Sequence, residues 1–224
     1  MTFGGTVMTR GMRIVVFAVL YGLVGGVTAG CAGSQEGAVD GTAELRRLRA
    51  LLDEARDLPE GFSTRPRDGW QAPFRPLDED CRLVLDAAAG RPPERALGAR
   101  AAVAYQGDGL GELAGFALAS YGGDDAASHF DALTDALSDC PVARARMAGR
   151  STALRVSGLD LEGIDGEIQA RRLSGRLNGY PYEIHLVFAV SGRTLVSLVH
   201  AGVRDVDAAR TRELAGLLVD EVAA

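Results

Sequence analysis

The most regular pattern in the chain is an alternation of apolar and polar residues in its C-terminal half. From residue 182 to residue 190 every second side chain is apolar, as in a β-strand with one buried face. Similar stretches predict further strands at 99–106, 112–121, 144–148, 153–156, 167–177 and 193–200. Asn178 and Gly179, and then Ser191 and Gly192, are the turn signals between the last three strands. Together these signals predict a mostly antiparallel sheet.

Four other segments place apolar residues at the spacing of an α-helix. The predicted helices are 44–57, a short helix after Asp78, a longer helix between Asp124 and Pro141, and a terminal helix from about Asp205. Asp78 and Asp124 are the expected N-caps of the second and third helices. Between those two helices, the glycine-rich stretch 107–111 predicts a hairpin loop. The order of elements predicts a single α+β domain with its helices packed on one face of the sheet.

Two cysteines fall on the apolar faces of the second and third predicted helices, at Cys81 and Cys140. If the two faces pack together, the sulfur atoms can meet in a disulfide. Such a crosslink closes about 60 residues and stabilises the fold by about 4 kcal/mol in the chain-entropy model. The alternatives are two free buried thiols, or a redox or metal-binding pair.

The N-terminal residues 1–30 have the parts of a secretion signal in the usual order. Arg10 and Arg13 make a positive start, and residues 14–24 form an apolar run that is too short to span a bilayer as a helix. Small residues then precede Cys31, in an arrangement that resembles a bacterial lipoprotein signal with Thr28 where leucine is usual.

This arrangement predicts cleavage before Cys31 and a diacylglyceryl and palmitate-type lipid anchor on its thiol. Residues 31–43 would then be a flexible tether, and 44–224 a domain on the outer face of the cytoplasmic membrane. The alternatives are ordinary signal cleavage without lipid, or an uncleaved anchor in which the cysteine is incidental.

The charge balance narrows the classes of partner. The chain has 24 basic residues, all of them arginine, against 30 acidic residues, for a net charge of −6. Loss of Arg10 and Arg13 with the signal would leave 22 against 30, or −8. This balance argues against nucleic acid as a partner and against a polybasic membrane patch. The lack of lysine excludes a Schiff base and a phosphate-binding P-loop lysine, and we expect no cofactor.

One set of residues carries a family resemblance through its order and spacing: Leu51, Leu52, the stretch 57–62, Cys81, Phe130, Leu133, Leu137 and Cys140. This order resembles the PknH-like extracellular sensor domain, which occurs on actinobacterial receptor kinases and on free-standing lipoproteins. LpqN-type lipoproteins, with a similar α+β layout, are the second resemblance. The kinase members have a second cysteine pair that this chain lacks. The resemblance implies an extracytoplasmic sensing or ligand-binding role.

One group of side chains suggests a weak metal site on the predicted sheet. If Ser191 and Gly192 form a two-residue turn, Glu183 faces His200 and His185 lies diagonally across from it. A carboxylate with two imidazoles can bind a divalent metal. The alternative is an ordinary set of cross-strand contacts. A further histidine, His129, is expected to be exposed.

Aromatic residues form the other candidate surface, with arginines nearby that could favour an anionic ligand. An apolar or anionic ligand cleft is one interpretation, and ordinary core packing is the other. The candidate ligand-binding residues are Phe62, Trp70, Phe74, Tyr180 and Tyr182.

No nucleophile, base and orienting group can be picked out as a set, so the sequence predicts a non-catalytic protein. The favoured interpretation is a lipid-anchored module that binds a small molecule or an envelope component. The alternative is a structural or accessory lipoprotein that contacts a membrane or envelope protein complex and binds no small molecule.

Overall fold

The computed structural model describes residues 41–54, 58–147 and 150–224. The predicted signal, Cys31 and residues 32–40 of the predicted tether lie outside the described residues. The elements are α1 (Gly41–Glu54), β1 (Arg67–Asp68), α2 (Glu79–Ala88), β2 (Leu97–Gln106), β3 (Leu113–Tyr121), α3 (Asp125–Asp139), β4 (Val142–Met147), β5 (Arg150–Gly158), β6 (Ile168–Leu177), β7 (Tyr180–Ser191), β8 (Thr194–Val203) and α4 (Ala208–Ala223). None of these helices is long and apolar enough to cross a membrane.

The eight described strands form one antiparallel sheet in the order β1-β2-β3-β8-β7-β6-β5-β4. Strands β4 to β8 make a continuous meander, and the β2–β3 hairpin joins it through pairing of β3 with β8. The predicted hairpin loop closes where the Gly107 N–H donates to the Glu112 carbonyl, at 3.0 Å. The α+β class and the antiparallel sheet are therefore as predicted.

The two tight turns of the meander differ from each other in how well the sequence predicted them. Asn178 and Gly179 have φ angles of 53° and 89°, and they form the expected two-residue turn between β6 and β7. The next turn is shifted by one residue, because Ser191 pairs with Thr194 and the loop is 192–193. The predicted register of this hairpin was therefore wrong by two residues.

The helices lie on both faces of the sheet, not on one face as predicted. Helices α2 and α3 pack on the face that carries Ile184, Leu186 and Phe188. Helices α1 and α4 pack on the opposite face, against Val187 and Leu198. The physical reason is that strands β3, β7 and β8 are apolar on both sides, so each face needs its own cover.

Helices α2 and α3 are crosslinked by a disulfide between Cys81 and Cys140, which confirms the predicted pairing. The Asp78 side chain accepts a hydrogen bond from the Cys81 N–H at 3.1 Å, as expected of an N-cap. Asp124 precedes α3 but makes no capping hydrogen bond through its side chain. The bridge thus joins two buried helix faces that the apolar spacing had already indicated.

Candidate functional site

A chain of five buried polar side chains, which we call the polar chain, lies between the sheet and α4. Its members are, in spatial order, Glu183, His185, Thr211, His200 and Glu112. The Thr211 hydroxyl lies 2.7 Å from His185 Nδ1 and 2.8 Å from His200 Nδ1. His185 Nε2 is 2.8 Å from Glu183, and His200 Nε2 is 3.0 Å from Glu112. Both imidazoles and the hydroxyl are 0% exposed.

The sheet register brings the two histidines together. His185 on β7 faces His200 on β8 directly, and Glu183 faces Gly202 instead of the predicted His200. Thr211 comes from the first turn of α4, where its hydroxyl also lies 3.0 Å from the Asp207 carbonyl oxygen. The site therefore depends on two neighbouring strands and on the helix that crosses them.

Each end of the polar chain is held by an arginine. Arg172 pairs with Glu183 at 3.2 Å, and Arg210 pairs with Glu112 at 2.9 Å. Arg210 also pairs with Asp108 at 3.2 Å, and its guanidinium lies 4.5 Å from the centre of the Phe62 ring. The positive charges at the two ends offset part of the cost of burying two carboxyl groups.

Burial controls the protonation of the central groups. It lowers the pKa of His185 to about 4, with the Arg172 guanidinium as the next cause. Burial also lowers the pKa of His200, against the hydrogen bond to the Glu112 carboxylate, which raises it. The pKa of Glu183 is raised by burial, although Arg172 opposes this. Both imidazoles are therefore neutral near pH 7.

The Thr211 hydroxyl is the central group of the polar chain. It donates its hydrogen to the Asp207 carbonyl oxygen at 3.0 Å, so its oxygen can accept from Nδ1–H of both His185 and His200. Arg172 Nε donates to His185 Nε2 at 3.4 Å, which agrees with a hydrogen on Nδ1 of that ring.

This arrangement leaves little room for a metal. All four imidazole nitrogens of His185 and His200 lie within hydrogen-bond distance of protein oxygens. Within residues 41–54, 58–147 and 150–224, no group of three or more His, Cys, Asp or Glu side chains is placed to hold a metal ion. The candidate set with Glu183 is a hydrogen-bonded network in the protein interior.

The polar chain also has the distances of a nucleophile, a base and an orienting carboxylate, a set that the sequence analysis did not find. Thr211, His185 and Glu183 are each within 2.8 Å of the next. However, the hydroxyl is fully buried and is engaged by two imidazoles, so no substrate can reach it. Its hydrogen bonds stabilise the contact between α4 and the sheet. Because Glu112 and His200 are 88 residues apart in the chain, no local sequence signal links them.

A small cleft adjoins one end of the polar chain. It measures about 230 Å³ and is lined by the β2–β3 loop, the end of β8 and the start of α4. Its charged lining residues include Asp108, Glu112, Asp207 and Arg210. The pairing of Arg210 with Asp108 and Glu112 means that the positive charge in this cleft is already neutralised.

The five predicted aromatic residues do not share one site. Trp70 and Phe74 are buried in the core beneath α2 and α3, and Tyr182 packs against the same core. Phe62 belongs to the core on the opposite face, and Tyr180 is 69% exposed. Core packing thus accounts for most of the group.

A second, larger cleft of about 530 Å³ lies beside Phe74. It runs between the segment 72–76 and helix α2, and its lining includes Arg75, Leu85, Asp86 and Arg91. Arg91 pairs with Asp86 at 2.7 Å, whereas Arg75 is exposed and has no ion pair with a described residue. The cleft therefore has a mixed lining, in which the edges of buried apolar side chains lie beside a guanidinium that pairs with no described residue.

His129 is buried at 6% exposure, and not exposed as predicted. Its Nε2 lies 3.0 Å from the Arg95 carbonyl oxygen, and its ring packs on Tyr121 with centroids 4.5 Å apart. Helical spacing placed it beside Phe130, but the loop before β2 covers it. His129 is therefore a satisfied structural residue.

Comparison with known proteins shows that the chain is similar in fold to a solved structure. No protein-family model matches the chain, and no curated protein matches it. The extracellular domain of PknH from Mycobacterium tuberculosis superposes with a TM-score of 0.58 at 14% identity, covering 80% of this chain and 95% of that domain. An uncharacterized protein from Mycobacterium smegmatis, an Rv0999 ortholog, gives a TM-score of 0.43 at 16% identity, with 81% and 96% covered. The resemblance to the PknH extracellular domain predicted from the sequence is therefore confirmed at the level of the fold.

Proposed function

We propose that the chain is an exported, lipid-anchored binding module that recognises a small amphipathic anion and catalyses no reaction. The observation that carries this proposal is the 530 Å³ cleft beside Phe74, where apolar surface and an unpaired arginine meet. Pockets of roughly 300–1,000 Å³ with an apolar lining and a few polar groups are the usual size and character of small-molecule sites.

Two features support export. The disulfide between Cys81 and Cys140 is of the kind that forms and persists in oxidising compartments. The fold is similar to that of a domain described as extracellular. With the secretion signal in residues 1–30, these features favour an acylated Cys31 outside the cytoplasm.

The chemistry of the cleft favours an anion with an apolar part. Phe74 and Leu85 line it with hydrophobic surface, and the Arg91 charge is already paired with Asp86. Arg75 is then the cation left to bind a carboxylate, phosphate or sulfonate group. The buried, fully engaged Thr211 hydroxyl supports the absence of catalysis.

Native mass spectrometry of the protein extracted from membranes tests anchor and ligand together. We expect a mature chain that begins at Cys31, carries acyl mass and retains a small anionic molecule. An intact N-terminal signal, or a mature chain without acyl mass, would refute the anchor. Acyl mass with no retained ligand would favour the accessory lipoprotein alternative.

The position of the ligand site is tested by charge reversal in the cleft. The Arg75→Glu variant should lose the retained ligand and should bind the probe 8-anilinonaphthalene-1-sulfonate at least tenfold more weakly. Arg65→Glu is the matched control, because Arg65 is an exposed arginine of the same connection between α1 and α2 and does not line the cleft. Equal binding by the two variants would place the ligand elsewhere.

A further inference from the structure

Five arginines project from one half of one sheet face, which we call the arginine face. They are Arg144 and Arg146 on β4, Arg155 on β5, and Arg172 and Arg176 on β6. Their neighbours along each strand, Ala143, Leu154 and Leu173, are buried in the core beneath α2 and α3. Because successive strand residues point to opposite faces, all five arginines lie on the other face, which also carries α1 and α4.

The pairing of the strands makes this group compact. Ala153 pairs with Arg144 on one side and with Arg176 on the other. Arg146 is two residues along β4, and Arg155 is two residues along β5. The exposed Ala153 therefore has four arginine positions as its neighbours on this face.

No described helix covers this half of the face. Helix α1 packs on β2 and β3, and α4 packs on β7 and β8, so both helices lie beside the arginine face. Ser151, Ala153 and Ser157 on β5 are exposed, as are Arg144 and Arg155.

The strand positions of the arginine face carry little negative charge, and the acidic loop 159–167 borders the face, where Leu159 and Leu161 pack on the same side of the sheet. Glu183 is the one described carboxylate among its strand positions, and it is already bound by Arg172 and His185. Arg144, Arg146 and Arg155 form no ion pair with any described residue. Arg176 also forms no ion pair within the described part of the chain, and its Nη1 donates to the Gly179 carbonyl oxygen at 2.8 Å. The net charge, which argues against a polybasic membrane patch, does not report this local grouping of arginines.

We propose that the arginine face docks on the anionic phospholipid headgroups of the bilayer that holds the acylated Cys31. This inference rests on the proposed anchor. Phosphates are the oxyanions that guanidinium groups bind bidentately. Charge complementarity favours anionic headgroups as the occupant of the arginine face. An anionic surface repels the rest of this acidic chain, so the arginine face is the side that it attracts.

The length of the tether agrees with this orientation. Helix α1 begins at Gly41 on the same side of the sheet as the arginine face. The residues from Cys31 to Gly41 reach about 35 Å when extended, which is close to the diameter of a small domain.

Arginine modification on vesicles tests the proposal with the intact lipidated protein. We expect phenylglyoxal to label Arg144, Arg155 and Arg176 at least fivefold more slowly on phosphatidylglycerol vesicles than on phosphatidylcholine vesicles. Protection should disappear in 0.5 M NaCl, where the Debye length is about 4 Å. Arg65 and Arg100, at the other edge of the sheet, should react equally on both vesicles.

Charge reversal provides a second measurement. The variant R144E/R155E/R176E should show no difference in labelling of Arg172 between the two lipids. The control R65E/R67E/R100E carries the same change in net charge at the opposite edge and should keep the protection of the arginine face. Circular dichroism of both variants confirms that they are folded.

The failure of the anchor and the failure of docking give different results. Sedimentation with phosphatidylcholine vesicles reports the anchor alone. If the chain does not sediment with them, binding to phosphatidylglycerol vesicles still tests the face, with about a fivefold loss expected for each arginine removed. Equal labelling on the two lipids overturns the proposal, and so does protection by polyglutamate but not by anionic vesicles, which would indicate an acidic protein partner.

Discussion

Replacing Thr211 with valine removes the central hydroxyl of the polar chain and keeps the shape of the side chain. That hydroxyl is within 2.8 Å of both His185 Nδ1 and His200 Nδ1. The site is fully buried, so water cannot replace the lost partner. The Thr211→Val variant therefore leaves two buried imidazole nitrogens without hydrogen bonds.

The expected cost follows from counting those groups. An unsatisfied buried polar group costs about 1–3 kcal/mol, so two of them cost about 4 kcal/mol. The Asp207 carbonyl adds nothing, because it keeps its hydrogen bond from the Thr211 N–H at 3.0 Å. For a domain of this size the melting temperature should fall by about 10 °C, at roughly 2–4 °C per kcal/mol.

Urea unfolding of the oxidised protein at pH 7 measures this difference. Thr211→Ser keeps the hydroxyl and should lose much less. Thr134→Val is the matched control, because the Thr134 hydroxyl donates to the Phe130 carbonyl oxygen in α3 at 3.0 Å and bridges no other group. If T211V and T134V lose the same small amount, the polar chain does not stabilise the contact between α4 and the sheet.

Three further predictions concern pH, the disulfide and the packing of the sheet. Because the pKa of His185 is about 4 in the folded protein and about 6.5 when unfolded, stability should fall by up to about 3 kcal/mol as the pH drops from 6.5 to 4. The lowered pKa of His200 acts in the same direction, and the raised pKa of Glu183 offsets part of the loss of stability. If the urea midpoints of the wild type and of His185→Gln depend equally on pH, His185 is not the source of the pH dependence. Reducing the disulfide, which spans 59 residues, should lower the unfolding free energy by about 4 kcal/mol, and thiols that react with iodoacetamide before any reduction would contradict the crosslink. Gly175→Ala should lower the free energy of unfolding by about 1–3 kcal/mol, because the added Cβ meets the backbone of β5. Gly158→Ala places its Cβ in open space and should change the urea midpoint little. Equal midpoints for the two variants would show that β5 moves to accommodate the added methyl group.

Much of the architecture could be predicted because it is encoded locally. Alternation at 182–190 identified β7 and its buried face, and helical spacing placed Cys81 and Cys140 on faces that do pack together. The Asn178–Gly179 turn was recognisable because both residues tolerate a positive φ. Each of these features depends on residues close together in the chain.

The candidate sites were less accessible to such reasoning. Glu183, His185 and His200 were correctly grouped on one face, but the predicted pairing failed because the β7–β8 turn is displaced by a single residue. Since every pairing in a hairpin is set by its turn, that shift moved His185 opposite His200. Thr211 could not have been added to the group, because it is on a helix whose position over β7 and β8 the sequence does not state.

The sequence alone thus determined the types and order of most elements, the apolar faces of α2 and α3, and the cysteine pair, because these follow from periodicity and local backbone preference. The tertiary structure decided which surfaces meet. It placed helices on both sides of the sheet, joined two histidines through Thr211, and gathered five arginines in an acidic chain. The reason is that net charge and periodicity carry no information about distance between segments, whereas strand pairing brings residues from separate strands to within a few ångströms of one another.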